Sequence, residues 1–128
     1  MAHINVLLFV ESRYKVDRKR ITAAITKFLQ GQGVGTDVEV SIAIVGDRKM
    51  RSLNQQYRNL DKTSNVLSFP IGEGETIPMP SDTLRLGDVV ISYPEVIRES
   101  ARENWLVDDR IEELVIHGVT HLLGIHHE

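Results

Sequence analysis

Four of the five histidines in this sequence lie within its last twelve residues, from His117 to Glu128. His117 and His121 are four positions apart, a spacing that places two side chains on one face of an α-helix about one turn apart. Gly124 follows, and glycine commonly ends a helix and lets the chain turn back. His127 completes the pattern H-x-x-x-H-x-x-G-x-x-H. Three imidazoles that converge with a fourth position open are typical of a catalytic zinc site.

This histidine-rich end differs from an expression tag, because a tag is an unbroken run and here aliphatic residues stand between the imidazoles (Val119, Leu122, Leu123 and Ile125). Three neutral histidines leave most of the charge of a zinc ion uncompensated, and such an ion lowers the pKa of a bound water to roughly 7. We therefore predict one Zn²⁺ per chain and hydrolysis of a peptide, an ester or a phosphodiester. Three imidazoles also suit nickel or copper, so the residues leave the metal open.

The histidine spacing is also that of the metzincin metallopeptidases, which place a glutamate directly after the first histidine as general base. Here that position is Gly118, which cannot accept a proton. The sequence therefore disfavours peptide hydrolysis by that mechanism. Glu113, one turn before His117, has two interpretations: a carboxylate that orients His117 or acts as a base, or a solvent-facing glutamate. We favour the solvent-facing one.

The composition is that of a single soluble domain spanning residues 1–128, with 41% hydrophobic and 26% charged residues. No apolar run is long enough to span a bilayer, and no basic segment precedes the first apolar residues, so we expect neither a membrane protein nor a secretory signal. The absence of cysteine excludes disulfides and thiolate metal sites. We expect a cytoplasmic location.

Charge is unevenly distributed, although the net charge is only −3. Basic residues dominate residues 13–20 and 47–62, and acidic residues dominate 95–113. Local basic clusters of this kind are compatible with phosphate binding in an acidic protein, and equally with a solvated mixed-charge surface. Arg58 ends the predicted helix within the second basic cluster, and its guanidinium has the geometry to hold a phosphate with two hydrogen bonds. By composition alone, an arginine at a helix end is more often a solvated charge.

Hydrophobic periodicity predicts the element order β-α-β-α-β-β-α-α, with strands at residues 4–10, 38–45, 65–70 and 86–92. Asp17, Asp47, and Asp108 or Asp109 are the expected N-caps of helices one, two and four. Residues 72–82, rich in Gly, Pro and Glu, are expected to form a loop or hairpin tip. The pattern predicts an α+β fold, in which one small mixed four-stranded sheet packs with about four helices. The first two strands should be parallel, and strands three and four can be antiparallel.

Four motifs in order make the sequence similar to the YbeY family of metal-dependent bacterial endoribonucleases. They are Leu53-Asn54-x-x-Tyr57-Arg58 followed by Asp61-Lys62, then residues 65–70 (NVLSFP), residues 86–92 (LGDVVIS), and the terminal histidine stretch. The resemblance extends from Val38 to the C-terminus. It implies a small α+β fold of the kind predicted above.

The resemblance also implies a zinc ion held by His117, His121 and His127, and a functional arginine at Arg58. The implied substrate is single-stranded RNA, especially near the 3′ end of small-subunit ribosomal RNA, with the small ribosomal subunit or its proteins as partners. On this hypothesis the substrate-binding residues are Asn65, Ser68 and Lys62. Ser68 and Asn65 would contact the RNA backbone, while Arg58 would stabilise charge on the phosphate.

Two alternatives remain open at the level of the sequence. His126 is a rival third ligand, but successive residues of an extended segment point in opposite directions, so His126 and His127 should not both bind, and the register favours His127. The alternative functions are a metallopeptidase-like hydrolase, which Gly118 disfavours, and a non-catalytic ribosome-assembly factor with a structural zinc.

Overall fold

Strands and helices follow the predicted order in the computed structural model, which describes residues 3–61, 64–70 and 83–124. The elements are β1 (Ile4–Val10), α1 (Arg18–Gly31), β2 (Val38–Val45), α2 (Asp47–Arg58), β3 (Val66–Pro70), β4 (Leu84–Ser92), α3 (Tyr93–Glu103) and α4 (Val107–Leu122). The loop expected over residues 72–82 lies outside the described residues.

The four strands form one mixed sheet in the order β1-β2-β4-β3. β1 and β2 are parallel, as are β2 and β4, whereas β3 runs antiparallel to β4. This arrangement confirms the predicted α+β class, the parallel first pair and the antiparallel second pair. β4 begins two residues earlier than predicted and contains an irregularity at Gly87, whose φ of 134° is open to glycine but not readily to other residues.

The two faces of the sheet are covered by different helices. One face holds the main core, formed with α1, α3 and α4 (Ile21, Ile25, Leu29, Val96, Ile111, Leu114, Val115, Val119 and Leu122 are its buried helical residues). The other face carries α2, whose buried Met50 packs with Val45 and Val90 of the sheet. Alternation along β3 therefore directs Val66 and Ser68 to the α4 side, and Leu67 and Phe69 to the α2 side.

Of the predicted helix caps, only the first is confirmed. The Asp17 carboxylate accepts a hydrogen bond from the backbone N–H of Arg20. The caps predicted for Asp47 and for Asp108 or Asp109 are wrong, because α2 starts from Gly46 and α4 from Leu106, neither of which makes a side-chain cap bond. Those aspartates stand inside the first turns, where they still complement the positive end of the helix dipole.

Within the described residues, none of the helices combines the length and the apolar character needed to cross a membrane.

Candidate active site

The two histidines of α4 converge on the outer side of that helix. Their ring centroids are 4.4 Å apart, with His117 exposed and His121 half-buried. The convergence follows from the pattern of the helix, in which Leu114, Gly118 and Leu122 are buried against the sheet. His117 and His121 each precede one of these buried residues, so both histidines lie on the adjacent face of the helix, toward solvent. The predicted pairing of His117 and His121 on one helix face is therefore present.

The geometry of this pair fits a shared metal ion. Zinc binds imidazole nitrogen at about 2.0–2.1 Å, so two rings in contact on adjacent helical turns can both reach one ion. The predicted third ligand, His127, and its rival, His126, lie outside the described residues. Within the described ranges, no group of three metal-ligating side chains is present, so the third ligand stays a prediction.

Gly118 has a packing role that explains its position between the two ligands. A Cβ atom built on Gly118 would lie 2.6 Å from Cγ1 of Val89 on β4, closer than side-chain atoms pack. The helix therefore approaches the sheet more closely than any residue with a side chain would permit. A glutamate at this position would point into the sheet rather than toward the histidines, which removes the general base expected of a metzincin-type peptidase.

Arg58 ends α2 and reaches the edge of the sheet. Its guanidinium donates through Nη2 to the Ser68 carbonyl oxygen (3.2 Å) and through Nη1 to the Tyr57 carbonyl oxygen (3.3 Å). It also lies over the Phe69 ring, 5.2 Å from the centroid, an arrangement in which the ring attracts the cation. Asn59 stops the helix in a left-handed conformation with φ of 56°. Arg58 is thus ordered against β3 rather than extended into solvent.

β3 lies between Arg58 and α4, the helix that carries His117 and His121. Ser68, whose carbonyl oxygen accepts from Arg58, is paired across the sheet with Val89. Val89 is also the residue against which Gly118 packs, and Gly118 directly follows His117. The arginine and the first histidine are therefore separated by two adjacent strands and one close helix contact. Arg58 and Ser68 therefore lie together at β3, and His117 is connected to them through Val89 and Gly118.

Asn65 precedes β3 and is held by an acidic side chain. Its Nδ2 lies 3.3 Å from both carboxylate oxygens of Glu99, and its backbone carbonyl accepts from the N–H of Ser92. The side-chain amide nitrogen is therefore engaged within the protein, and the amide oxygen is the part of Asn65 suited to other contacts. Lys62, the third residue predicted to bind substrate, lies outside the described residues.

A charged cluster that the sequence analysis did not identify continues from Asn65 to α4. Glu99 accepts a hydrogen bond from Arg110 (3.4 Å), which also pairs with Glu113. The side chains of Arg110 and Glu99 are only 15% and 16% exposed. Glu113 pairs with Arg110 and its side chain is 69% exposed, which agrees with the interpretation of Glu113 as a solvent-facing glutamate. Arg110 further stacks on Trp105 at 4.9 Å.

Asn54 is a second residue whose hydrogen-bonding role was not predicted. It is 1% exposed, and its Nδ2 donates to the hydroxyl of Ser64 at 2.8 Å. Its backbone carbonyl accepts from the N–H groups of Asn59 and Leu60. A polar amide on the apolar face of α2 was the available signal, because a buried amide must find hydrogen-bond partners. Asn54 ties the end of α2, and hence Arg58, to the segment that enters β3.

The chain is similar to known proteins over most of its length. The family model described as Endoribonuclease YbeY matches residues 9–128. A protein named Endoribonuclease YbeY from Desulforamulus reducens is 38% identical over 124 residues, which cover 96% of this chain and 74% of the relative. One of the same name from Acinetobacter baumannii (strain ATCC 17978) is 37% identical over 120 residues, covering 94% and 76%.

Among solved structures, the solution structure of TM1509 from Thermotoga maritima superposes with a TM-score of 0.58 and 24% identity. The match covers 98% of this chain and 75% of that one. At this identity the likeness concerns the fold alone.

Proposed function

This chain belongs to the YbeY family, and from that membership we propose that it is an endoribonuclease, a hydrolase that cleaves single-stranded RNA with the help of a bound metal ion. The observation that carries the proposal is the convergence of His117 and His121 on one face of α4, together with an arginine, Arg58, that is held in place against β3. Nitrogen ligands for a metal and a fixed cation are the groups that suit the cleavage of an anionic ester.

We propose Zn²⁺ as the metal, held by His117, His121 and His127. When bound, such an ion supplies a water of lowered pKa and polarises a phosphoryl oxygen. The close contact of Gly118 with Val89 supports the proposal, because it fixes α4 on the sheet and so fixes the direction of both imidazoles. If α4 could shift on the sheet, the two imidazoles would not be held in the positions that one metal ion requires.

Arg58 acts on the phosphate. Its guanidinium is planar and carries five N–H donors, and the contacts to two backbone carbonyls orient that plane at β3. Packing over Phe69 limits its rotation. A cation fixed before the substrate arrives stabilises the charge that develops on a pentavalent phosphate without reorganisation during the reaction.

Asn65 and Ser68 contact the ribose-phosphate backbone in this proposal. Since the Asn65 amide nitrogen is bound to Glu99, the amide oxygen is left for the substrate, and that oxygen only accepts hydrogen bonds. A phosphate has no proton to donate, whereas a ribose 2′-hydroxyl does. Asn65 is therefore suited to a 2′-hydroxyl, the group that distinguishes RNA from DNA. The Ser68 hydroxyl and Lys62 complete the predicted substrate contacts.

We further propose that the substrate is ribosomal RNA near the 3′ end of the small-subunit RNA. The chain would then work in the cytoplasm on the small ribosomal subunit or its proteins. This part rests on the motif resemblance, above all residues 65–70 (NVLSFP) combined with the histidine stretch.

The decisive experiment measures bound metal and cleavage of a single-stranded ribosomal RNA fragment in parallel. Arg58→Glu should lose cleavage and keep its metal, whereas His117→Ala should lose both. Arg51→Glu is the matched control, because Arg51 lies on the same helix, undergoes the same charge reversal and is 59% exposed with only a 4.0 Å contact to Asp61. Full RNA cleavage by metal-free His117→Ala protein would refute the proposal.

The two alternative functions predict different results in the same assays. A metallopeptidase would cleave an unfolded protein, yet the packing of Gly118 leaves no place for its glutamate base. A non-catalytic assembly factor would bind ribosomal proteins and leave RNA intact even when fully loaded with metal.

A further inference from the structure

The outer face of α1 is a basic surface that the proposed active site does not use. On its inner face, α1 buries Ile21, Ile25 and Leu29 against the sheet. The opposite face forms an open depression lined by residues that recur at helical spacing, which we term the α1 trough (Arg18, Lys19, Thr22, Thr26, Lys27 and Gln30). The helix has four basic residues and no acidic ones, although the chain as a whole has a net charge of −3.

Among the residues that the structure describes, no carboxylate pairs with the cations of the trough. Of the four basic residues in α1, Arg20 alone forms ion pairs within the described ranges, with Asp109 (2.6 Å) and Glu112 (3.2 Å) of α4. Arg18 donates to the Leu8 carbonyl oxygen, which leaves its charge in place. Lys19 and Lys27 have no hydrogen-bond or ion-pair partner in the described part of the chain. Asp109 and Glu112 of α4 therefore pair with Arg20 and not with Lys19 or Lys27.

The shape of the trough fits an extended polyanion. Lys19 and Lys27 are eight residues apart, or about 12 Å along the helix axis, and short side chains occupy the positions between them. Thr22 and Thr26 offer hydroxyl donors and Gln30 an amide donor on the same face. Two cations flanking a shallow row of neutral donors can follow a sugar-phosphate backbone, in which negative charges recur at regular intervals.

We propose that the α1 trough binds the phosphate backbone of RNA outside the active site, without reading its sequence. The inference rests on the proposed function, because it extends that enzyme's RNA substrate over a second surface. An acidic protein fits this surface less well, since protein interfaces depend on buried apolar or aromatic anchors, and the trough is lined by lysine, arginine, threonine, glutamine and a single alanine.

The test measures the affinity of an oligouridylate for the full chain over a range of salt concentrations. Excess chelator prevents metal-dependent cleavage during the measurement. For single strands, log K changes with log salt by about −0.7 per phosphate contact. Lys19→Ala/Lys27→Ala should therefore flatten the slope by about 1.4 and weaken binding about 25-fold at 0.1 M salt. Lys19→Arg/Lys27→Arg should retain both values, because the charges remain.

Arg102→Ala provides the control for a lost surface cation, since Arg102 lies on α3, is 64% exposed and only approaches Glu103. Arg102→Ala should leave the slope of log K against log salt unchanged, whereas Lys27→Ala should flatten that slope by about 0.7. An unchanged slope in the double lysine variant would overturn the inference, and binding of an acidic protein by the same surface would then be the competing result. RNA cleavage is measured separately. Absent cleavage with a flattened slope refutes only the proposed function, and intact cleavage with an unchanged slope refutes only the trough.

Discussion

Gly118 carries two separate consequences at the scale of one residue. It removes the general base that a peptidase of this histidine spacing needs, which the sequence already indicated. It also permits the close approach of α4 to Val89, which only the structure revealed. Both consequences concern the residue that directly follows His117, so the packing of α4 and the proposed metal binding depend on the same position.

Gly118→Ala should destabilise the fold. The added Cβ would meet Val89 at 2.6 Å, and overpacking of this kind costs about 1–3 kcal/mol. The better helix propensity of alanine returns at most about 1 kcal/mol. Urea unfolding should therefore show a lower midpoint, and metal affinity should fall because α4 shifts. In a Val89→Ala background the same substitution should cost less, and an equal cost in both backgrounds would contradict the contact.

Asn65→Ala should reduce discrimination between RNA and DNA more than it reduces affinity for RNA phosphates. The engaged amide nitrogen leaves an acceptor oxygen for a ribose hydroxyl. Binding of an RNA oligonucleotide and of its 2′-deoxy counterpart should be compared for wild type and variant. Ser41→Ala, which replaces a half-buried serine on the central strand β2, is the control. Unchanged discrimination between RNA and DNA in Asn65→Ala would show that Asn65 does not contact the 2′-hydroxyl.

How far the sequence predicts such residues depends on the range of the interaction. The pairing of His117 and His121 was predictable, because four residues on a helix always form one turn. The cluster of Glu99 and Arg110 was not, because the two residues lie on different helices and their meeting depends on tertiary packing. Arg58 was predicted through the family motif, but its hydrogen bond to the Ser68 carbonyl oxygen was not.

At the scale of elements, the end of α2 and the start of β3 behave as one unit. The Asn54 side chain donates a hydrogen bond to Ser64, and its backbone carbonyl accepts one from the backbone N–H of Leu60 in the turn after Arg58. The Arg58 guanidinium donates to the Ser68 carbonyl oxygen. The arginine is therefore held from both directions, by the helix that carries it and by the strand it faces.

Asn54→Ala should lower RNA cleavage through Arg58 and also lower stability. Loss of a buried side-chain hydrogen bond that leaves a partner unsatisfied costs about 1–3 kcal/mol. If Asn54 positions Arg58, kcat should fall more than KM rises at temperatures where the variant is fully folded. Ser64→Ala removes the acceptor of the same hydrogen bond and should lower kcat in the same direction. Gln55→Ala, exposed on the same helix, should change neither quantity.

The wrongly predicted caps show the same limit of sequence reasoning. Asp47 was expected to cap α2, yet its carboxylate accepts from Ser92 (3.2 Å) and Arg98 (2.9 Å) and so joins α2 to α3. The bond to Asp47, followed by that to Glu95, raises the pKa of Arg98, which therefore stays charged. An aspartate at the start of a helix satisfies the sequence pattern of a cap, but here the guanidinium of Arg98, from another helix, binds the carboxylate of Asp47.

At the scale of the whole molecule, the element order was predictable because hydrophobic periodicity and glycine or proline punctuation are local signals. The distribution of helices over the two faces of the sheet was not. Of the helices that the structure describes, α2 is the one that covers the second face, through a contact of Met50 with Val45 and Val90 of separate elements. This placement brings Arg58 to β3 from the side opposite the histidines.

The ion pair of Glu99 and Arg110 joins α3, α4 and the start of β3, so its loss should affect the whole fold. Exposed pairs contribute about 0–1 kcal/mol, whereas breaking a fully buried pair costs about 3–5 kcal/mol. With both side chains about 15% exposed, we expect Arg110→Met to cost about 1–3 kcal/mol, between those limits.

Arg102→Met is the matched control for that substitution. Arg102 is 64% exposed and its Nε lies 3.7 Å from Glu103, so its replacement should change stability by less than about 0.5 kcal/mol. Urea unfolding at constant m-value measures both variants. Arg110 holds Glu99, and Glu99 holds Asn65, so the Arg110 variant should also share the weakened RNA and DNA discrimination of Asn65→Ala. An Arg110 variant as stable and as selective as the Arg102 variant would show that the cluster is dispensable to both the fold and the substrate site.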